Sequence, residues 1–377
     1  MKRAPIRTWT VEPLSRPCKE RLDILATADD VKLIAVMPDV HVAGTSCNGI
    51  VVATEKLLYP DTVGVDIGCG MHAVRIEGDT SMLREQRTCE RIWDRWTRSI
   101  AMHRRDRREG IEERQMPPVE GLSAGGLKRD ALRDGLGQLG TVGGGNHFIE
   151  LQQDESGFAW LMVHSGSRGM GRHIHAHHAG PRGEIPRDIM GRVVLDAESP
   201  AGRAYLQDVA WAVDYARANR KVLAREAIAS IGGEFGWSID ESSEIDVPHN
   251  FVRSECHDGG NLFVHRKGAA PAMQGELSII PGSMGTFSVH VEGKGFEASL
   301  NTSSHGAGRV LSRSAAERSI SRKELARQLA SVWYDPAALE SMTAEAPGAY
   351  RDLRKVLEVQ RDIVKVVRRV RPVLTLR

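Results

Sequence analysis

The sequence predicts a mixed α/β (α+β) fold: one domain over residues 1–377, mixed sheets around a cleft, and a peripheral helical excursion at about 195–240. Three observations lead there. Short apolar runs stop at turn residues, as buried strands do. Longer stretches carry apolar residues at helical spacing. The side chains best suited to chemistry are spread from Asp66 to His305, with no linker or internal repeat between them. Independent domains would have to build such a site at their interface, so one intertwined domain is the simpler construction.

The predicted strands are LIAVM before Pro38-Asp39, TVGV before Asp66, HFIEL at 147–151 and WLMV before His164. Strand ends of this kind let a rigid sheet aim loops into one cleft. Helical spacing appears at Cys89, Trp93, Trp96 and Ile100, and again from Arg203 to Ser230 with Leu206, Val209, Val213, Ala216, Leu223 and Ile228. The last segment repeats it with Leu353, Val356, Leu357, Ile363, Val367 and Val370, its opposite side being arginine and lysine. Such stripes read as core-facing packing.

A length of 377 residues allows one large core or two ordinary ones. Lys plus Arg (51) nearly balances Asp plus Glu (49), so any attraction to a polyanion must come from local clusters. HRRDRR at 103–108 and KVVRRVR at 365–371 are such clusters, and each also reads as a solvated helix face or loop. No apolar segment approaches the length that spans a bilayer, and MKRAPIRTWT lacks the apolar core of a secretory signal. The expected location is the cytoplasm. Cys18, Cys47, Cys69, Cys89 and Cys256 are odd in number and irregularly spaced, which suits a reducing compartment and would keep Cys69 available as a thiolate.

One carboxylate, one thiolate and three imidazoles stand out because each sits among glycines or at a predicted strand end: Asp66 and Cys69 in VGVDIGCGM, His147 in GGGNHFIE, His164 in LMVHSGSRG and His249 in VPHNFV. Together they can hold two divalent cations if one ligand bridges, as sulfur can. The mixture of hard and soft donors leaves the metal open among Mn, Zn, Co and Fe. His305 in SSHGAGR is then left over for chemistry. The denser run His173, His175, His177 and His178 has no rigid turn around it and reads as a surface helix or loop, outside the metal set.

These segments, with MPDVH at 37–41, GNHFIE at 145–150, HSGSRG at 164–169, HNFV at 249–252, RKGA at 266–269, IPGSMG at 280–285, SHGAGR at 304–309 and AYRD at 349–352, closely resemble the RtcB family of RNA ligases. Members join RNA ends bearing a 2′,3′-cyclic phosphate or 3′-phosphate to 5′-hydroxyl ends, using GTP and manganese. The resemblance implies two Mn²⁺ ions bridged by Cys69, with His164 and His249 completing one site and Asp66 and His147 the other. It makes His305 the nucleophile that takes GMP from GTP, and Asp39 the carboxylate that orients it. GMP would then pass to the RNA 3′-phosphate and leave when the 5′-hydroxyl attacks. Arg309 would help to stabilise the charge that develops on phosphorus.

The implied nucleotide pocket uses Asn146, Glu150, Asn250, Ser283, Ser288 and the loop Gly306, Ala307, Gly308 and Arg309, with Tyr350 against the base. Arg377 stands where the family usually carries a lysine of a lysine-glycine pair, which bears on nucleotide preference. VAGTSCNG replaces the family's LGKG-type continuation after His41, and proline precedes His249 where relatives often have a second histidine. Implied partners are GTP and broken tRNA or rRNA, in splicing or repair; an activating protein is left open. Two other classes use the same scaffold: a two-metal phosphoesterase with water as nucleophile, and a non-catalytic RNA-binding relative. The first leaves His305 and the guanosine pocket without a task; the intact ligands and intact SHGAGR argue against the second.

Overall fold

A computed structural model describes residues 3–105, 115–180, 186–188, 191–340 and 342–377. Most of the chain's strands fall into two sheets. The larger is antiparallel throughout and orders its strands Leu277–Ile280, Ser288–Gly293, Val364–Leu376, Phe148–Asp154, Ala159–Ser165, Gly70–Glu77 and Ser238–Pro248. The smaller orders Ile6–Thr8, Val31–Ala43, Ser46–Thr54, Gly260–Lys267 and Asn250–His257, and only its first pair is parallel. His249 is the residue at which the chain leaves the larger sheet for the smaller.

The strand Ala159–Ser165 shows why an unbroken apolar run predicts a covered strand. All of its residues are buried. Leu161 and Val163 face the long helix, in a cluster with Leu223, Ala227 and Ile231, while Trp160 and Met162 face Val247, Ile279 and Val370 on the other side. Side chains of alternate direction therefore both meet core. The strand pairs with Phe148–Asp154 through a tight turn in which Asp154 Oδ1 accepts from the backbone N–H groups of Ser156 and Phe158, at 2.9 and 3.0 Å.

The helical excursion is one helix, Pro200–Phe235. Ser199 caps it by accepting from the Gly202 N–H at 3.0 Å, Pro200 opens it, and Gly236 ends it in a left-handed conformation. It lies across the larger sheet, and the shorter helix Gln86–Ser99 packs on it through Trp96, whose Nε1 donates to Ala227 O at 3.0 Å.

Three segments differ from expectation. TVGV is not a strand: Pro60–Thr62 forms a 3-10 turn and Gly64 takes φ 89°, which breaks extension before Asp66. The first predicted strand does not stop at Pro38-Asp39 but continues as Val31–Ala43, with its pairing register shifting between Val36 and His41. That irregularity tolerates a residue without an N–H and turns Asp39 inward. The final helical stripe is real only for Leu353–Val359; from Val364 the chain is a strand to Leu376. VKVVRRVRPV is rich in β-branched residues, and cross-strand pairing on both sides overrides the apparent helical spacing.

The basic run at 365–371 is thus strand, with Lys365, Arg369 and Arg371 exposed and Arg368 paired to Asp154 at 3.3 Å. Of the other run, Arg104 pairs with Asp134 and Arg105 with Glu226, while 106–108 lie outside the described residues. The histidine run forms the helix Gly169–Ala179. His178 departs from a surface position: it is buried with Nε2 2.7 Å from Asp208 Oδ2. All five cysteines are free, and no described helix is long and apolar enough to cross a membrane.

Candidate active site

Four of the five predicted metal ligands are carried at or beside a strand end, and Asp66 lies in the turn before Cys69. Cys69 precedes Gly70–Glu77, His147 precedes Phe148–Asp154, His164 is the penultimate residue of Ala159–Ser165, and His249 sits between its two strands. The DIGCG turn needs its glycines. Gly68 has φ 76°, and a Cβ there would lie 2.8 Å from Ala212 O of the long helix; at Gly70 it would lie 2.4 Å from Val247 O.

The five donors converge. Cys69 Sγ lies 3.3 Å from His147 Nε2 and 3.4 Å from His164 Nε2; His164 Nε2 is 3.4 Å from His249 Nε2, and His147 Nε2 is 3.2 Å from Asp66 Oδ2. Two overlapping groups result, Cys69 with His164 and His249, and Asp66 with Cys69 and His147, sharing the sulfur. Donors roughly 2.0–2.3 Å from a common ion are themselves this close. His147 Nδ1 faces Val142 O at 3.1 Å and His164 Nδ1 faces Asn146 O at 3.0 Å, so those nitrogens carry the protons and Nε2 offers its lone pair inward. Burial, then the neighbouring imidazoles, holds His164 and His249 well below the usual histidine range, which keeps both neutral. Burial and the Asp66 carboxylate push the Cys69 thiol up, and a bound cation reverses that for a ligating thiol. The donor set therefore fits divalent cations.

His305 stands beside this centre, just past Thr302–Ser304, with its ring centroid 4.8 Å from that of His249. Its Nδ1 lies 2.5 Å from Asp39 Oδ2, and the same oxygen accepts from the backbone N–H of His305 and Gly306, at 3.1 and 3.2 Å. Burial opposes charge on His305, yet the fully buried Asp39 carboxylate outweighs it and holds the ring above its ordinary range.

A cavity of about 220 Å³ opens from His305 and His164. Asn146, Glu150, Ser283, Ser288, Gly306, Ala307, Gly308, Arg309, Tyr350 and Arg377 all line it. Asn250 does not. Its Nδ2 donates to Asp66 O at 3.0 Å and its Oδ1 accepts from Gly268 N–H at 2.7 Å, so it braces the metal turn from a second cavity on the other side of His305. Arg309 stacks 4.8 Å over the Tyr350 ring, with its guanidinium held by Glu345 at 2.7 Å, Ala344 O at 2.5 Å and Leu311 O at 2.9 Å. Glu150 accepts from Thr375 Oγ1 at 2.6 Å and Gln152 Nε2 at 2.7 Å; burial still raises it to about 7.

Sequence reasoning missed the supports. Arg220, buried on the long helix, donates to Gly68 O at 2.9 Å and Ser165 O at 3.0 Å while Asp246 neutralises it at 2.7–2.8 Å, pinning both ligand-bearing turns. Asn219 Nδ2 donates to Thr141 O, Ser165 Oγ and Gly166 O. The available signal was this polar pair lying between Ala216 and Leu223 of an apolar stripe. Glu345, which gathers Arg309, Arg313 and Tyr350, lies in a segment with no chemical motif of its own.

The family model described as tRNA-splicing ligase RtcB matches residues 22–120 and 101–377. The "RNA-splicing ligase RtcB" of Escherichia coli strain K12 is 34% identical over 408 residues, covering 98% of this chain and 97% of that protein. An "RNA-splicing ligase RtcB1" from another Escherichia coli strain is also 34% identical, over 98% of this chain and 97% of its own length. The "tRNA-splicing ligase RtcB" of Thermococcus kodakarensis is 27% identical over 90% of this chain and 86% of its own. With the ordered motifs converging on one centre and this extent of similarity, the chain belongs to the RtcB family.

Proposed function

We propose that this chain is a GTP-dependent RNA ligase that joins 2′,3′-cyclic phosphate or 3′-phosphate ends to 5′-hydroxyl ends of broken or spliced RNA, in the cytoplasm. The names of its relatives support RNA joining. The observation that carries the mechanism is His305, held on Asp39 at the seam between the five converging donors and the nucleotide cavity. A phosphoesterase with water as nucleophile leaves the cavity beyond that imidazole without a task.

Asp66, Cys69, His147, His164 and His249 would hold two divalent cations, manganese in this reading. When bound, these would offset charge on the phosphoryl oxygens. Asp39 keeps the His305 Nδ1 proton in place, leaving Nε2 as the nitrogen that attacks the α-phosphorus of GTP while the bond to pyrophosphate breaks. A 3′-phosphate oxygen then displaces His305 from GMP, and the 5′-hydroxyl displaces GMP from the RNA phosphorus. The guanine would lie in the cavity walled by Glu150, Tyr350 and Arg377.

Incubation with α-labelled GTP and Mn²⁺ tests the reading. Label should become covalently bound to protein, disappear in His305→Ala, and be accompanied by a joined product from a nicked stem-loop RNA. Absence of label from the wild-type protein would overturn it.

A further inference from the structure

We propose that His175, oriented by Asp61, donates the proton that opens a 2′,3′-cyclic phosphate at the RNA 3′ end, an assignment that rests on the ligase reading above. Two cavities meet at His305, Asn48 and Asn146: the nucleotide cavity and a larger one of about 460 Å³. The larger has Cys69, His249 and His305 among its walls, and with them Asp61, His175 and Lys267. If GMP fills the first, the RNA terminus must reach the same phosphorus chemistry through the second.

Of the histidine run, His175 lines this larger cavity. His173 turns to Asp130 and Asp134, and His178 is closed on Asp208. His175 Nε2 lies 3.6 Å from Asp61 Oδ1, and Nδ1 makes no hydrogen bond among the described residues. Asp61 is itself fixed: its Oδ2 accepts from Val193 N–H at 3.3 Å, and its carbonyl accepts from Lys267 Nζ at 2.9 Å. Burial would raise the Asp61 carboxyl, but His175 and the Val193 N–H overcome that and keep it charged. Lys267 is already bound to Ser46 Oγ at 3.2 Å and to the Ala43 and Asp61 carbonyls, which leaves it a fixed charge beside the RNA terminus.

Opening the cyclic ester forms a bond from a water oxygen to phosphorus and breaks the bond from phosphorus to O2′. The expelled O2′ is strongly basic and needs a proton as it leaves. The His175 imidazolium supplies it, and the proton shed by the attacking water restores the imidazolium, leaving a 3′-phosphate and a 2′-hydroxyl. Joining of a ready-made 3′-phosphate has no such step.

Two RNAs that differ only at the 3′ end, cyclic phosphate or 3′-phosphate, make the test, with the full chain, GTP and Mn²⁺ and a gel readout of joined product. His175→Ala and His175→Gln should slow joining of the cyclic-phosphate RNA by roughly 100-fold or more, the usual contribution of a positioned proton donor. The 3′-phosphate RNA should be joined within about twofold of the wild-type rate. Asp61→Asn should show the same split with a smaller loss. Equal losses on both RNAs, or none on the cyclic one, overturn the proposal; wild-type protein that joins neither RNA overturns the ligase reading instead.

Discussion

The candidate metal centre and the cavity beside His305 share His164, yet their polar groups are left in opposite states. In the centre, five donors face one another, and the outer nitrogens of His147 and His164 are bound to carbonyls. In the cavity the groups already satisfy one another: Glu150 with Thr375 and Gln152, and Arg309 and Tyr350 with Glu345. One half is a set of donors turned on one another; the other is a finished network that the proposed nucleotide would have to enter. Loss in the first half should therefore be all-or-none, and in the second graded.

The largest effect should come from Cys69→Ala, which removes the shared donor: joining should fall by on the order of 10³-fold or more, with bound metal per chain dropping by elemental assay. His173→Ala, from the histidine run, should change neither. Next comes the seam. Asp39→Asn should slow formation of the labelled protein by on the order of 10²–10⁴-fold, as a mis-set imidazole tautomer does elsewhere, while metal content stays at the wild-type level. Retained labelling would show that Asp39 serves the backbone alone.

Within the cavity the effects shrink. Glu345→Gln leaves the Arg309 guanidinium without its charged partner and should cost about 1–3 kcal/mol in thermal stability, raising the KM for GTP more than it lowers kcat. Glu150 gives a signed pH test. Its folded pKa, near 7, exceeds the unfolded value, so the folded chain binds more protons between about 4.5 and 7 and loses stability as pH rises through that window. Without nucleotide, Glu150→Gln should therefore raise Tm at pH 8, by an amount equivalent to up to roughly 3 kcal/mol, and leave it near wild type at pH 5. An equal shift at both would assign the effect to packing.

The donors are legible in the sequence because glycine turns and apolar runs mark strand ends, and four of the five sit there, with Asp66 in the glycine turn beside Cys69. WLMV reads correctly since a strand covered on both faces needs an unbroken apolar run, and HFIEL pairs beside it as Phe148–Asp154. The C-terminal strand did not: valines three and four apart mimic a helical face when a register shift interrupts strict alternation. Arg220 and Asp246 were hidden because each looks like an ordinary surface charge until the fold buries Arg220 and closes the Asp246 carboxylate on it. The histidine run is the helix its sequence suggests, but its neighbours diverge: His173, His175 and His178 face different carboxylates, and His178 does so from a buried position.

His249 has a mechanical consequence. It is the link where the backbone passes between the two sheets, and its imidazole faces donors carried by the larger one. Any cation seated there acts as a rivet through that joint, so occupancy of the centre and cohesion of the two halves of the molecule rise and fall together.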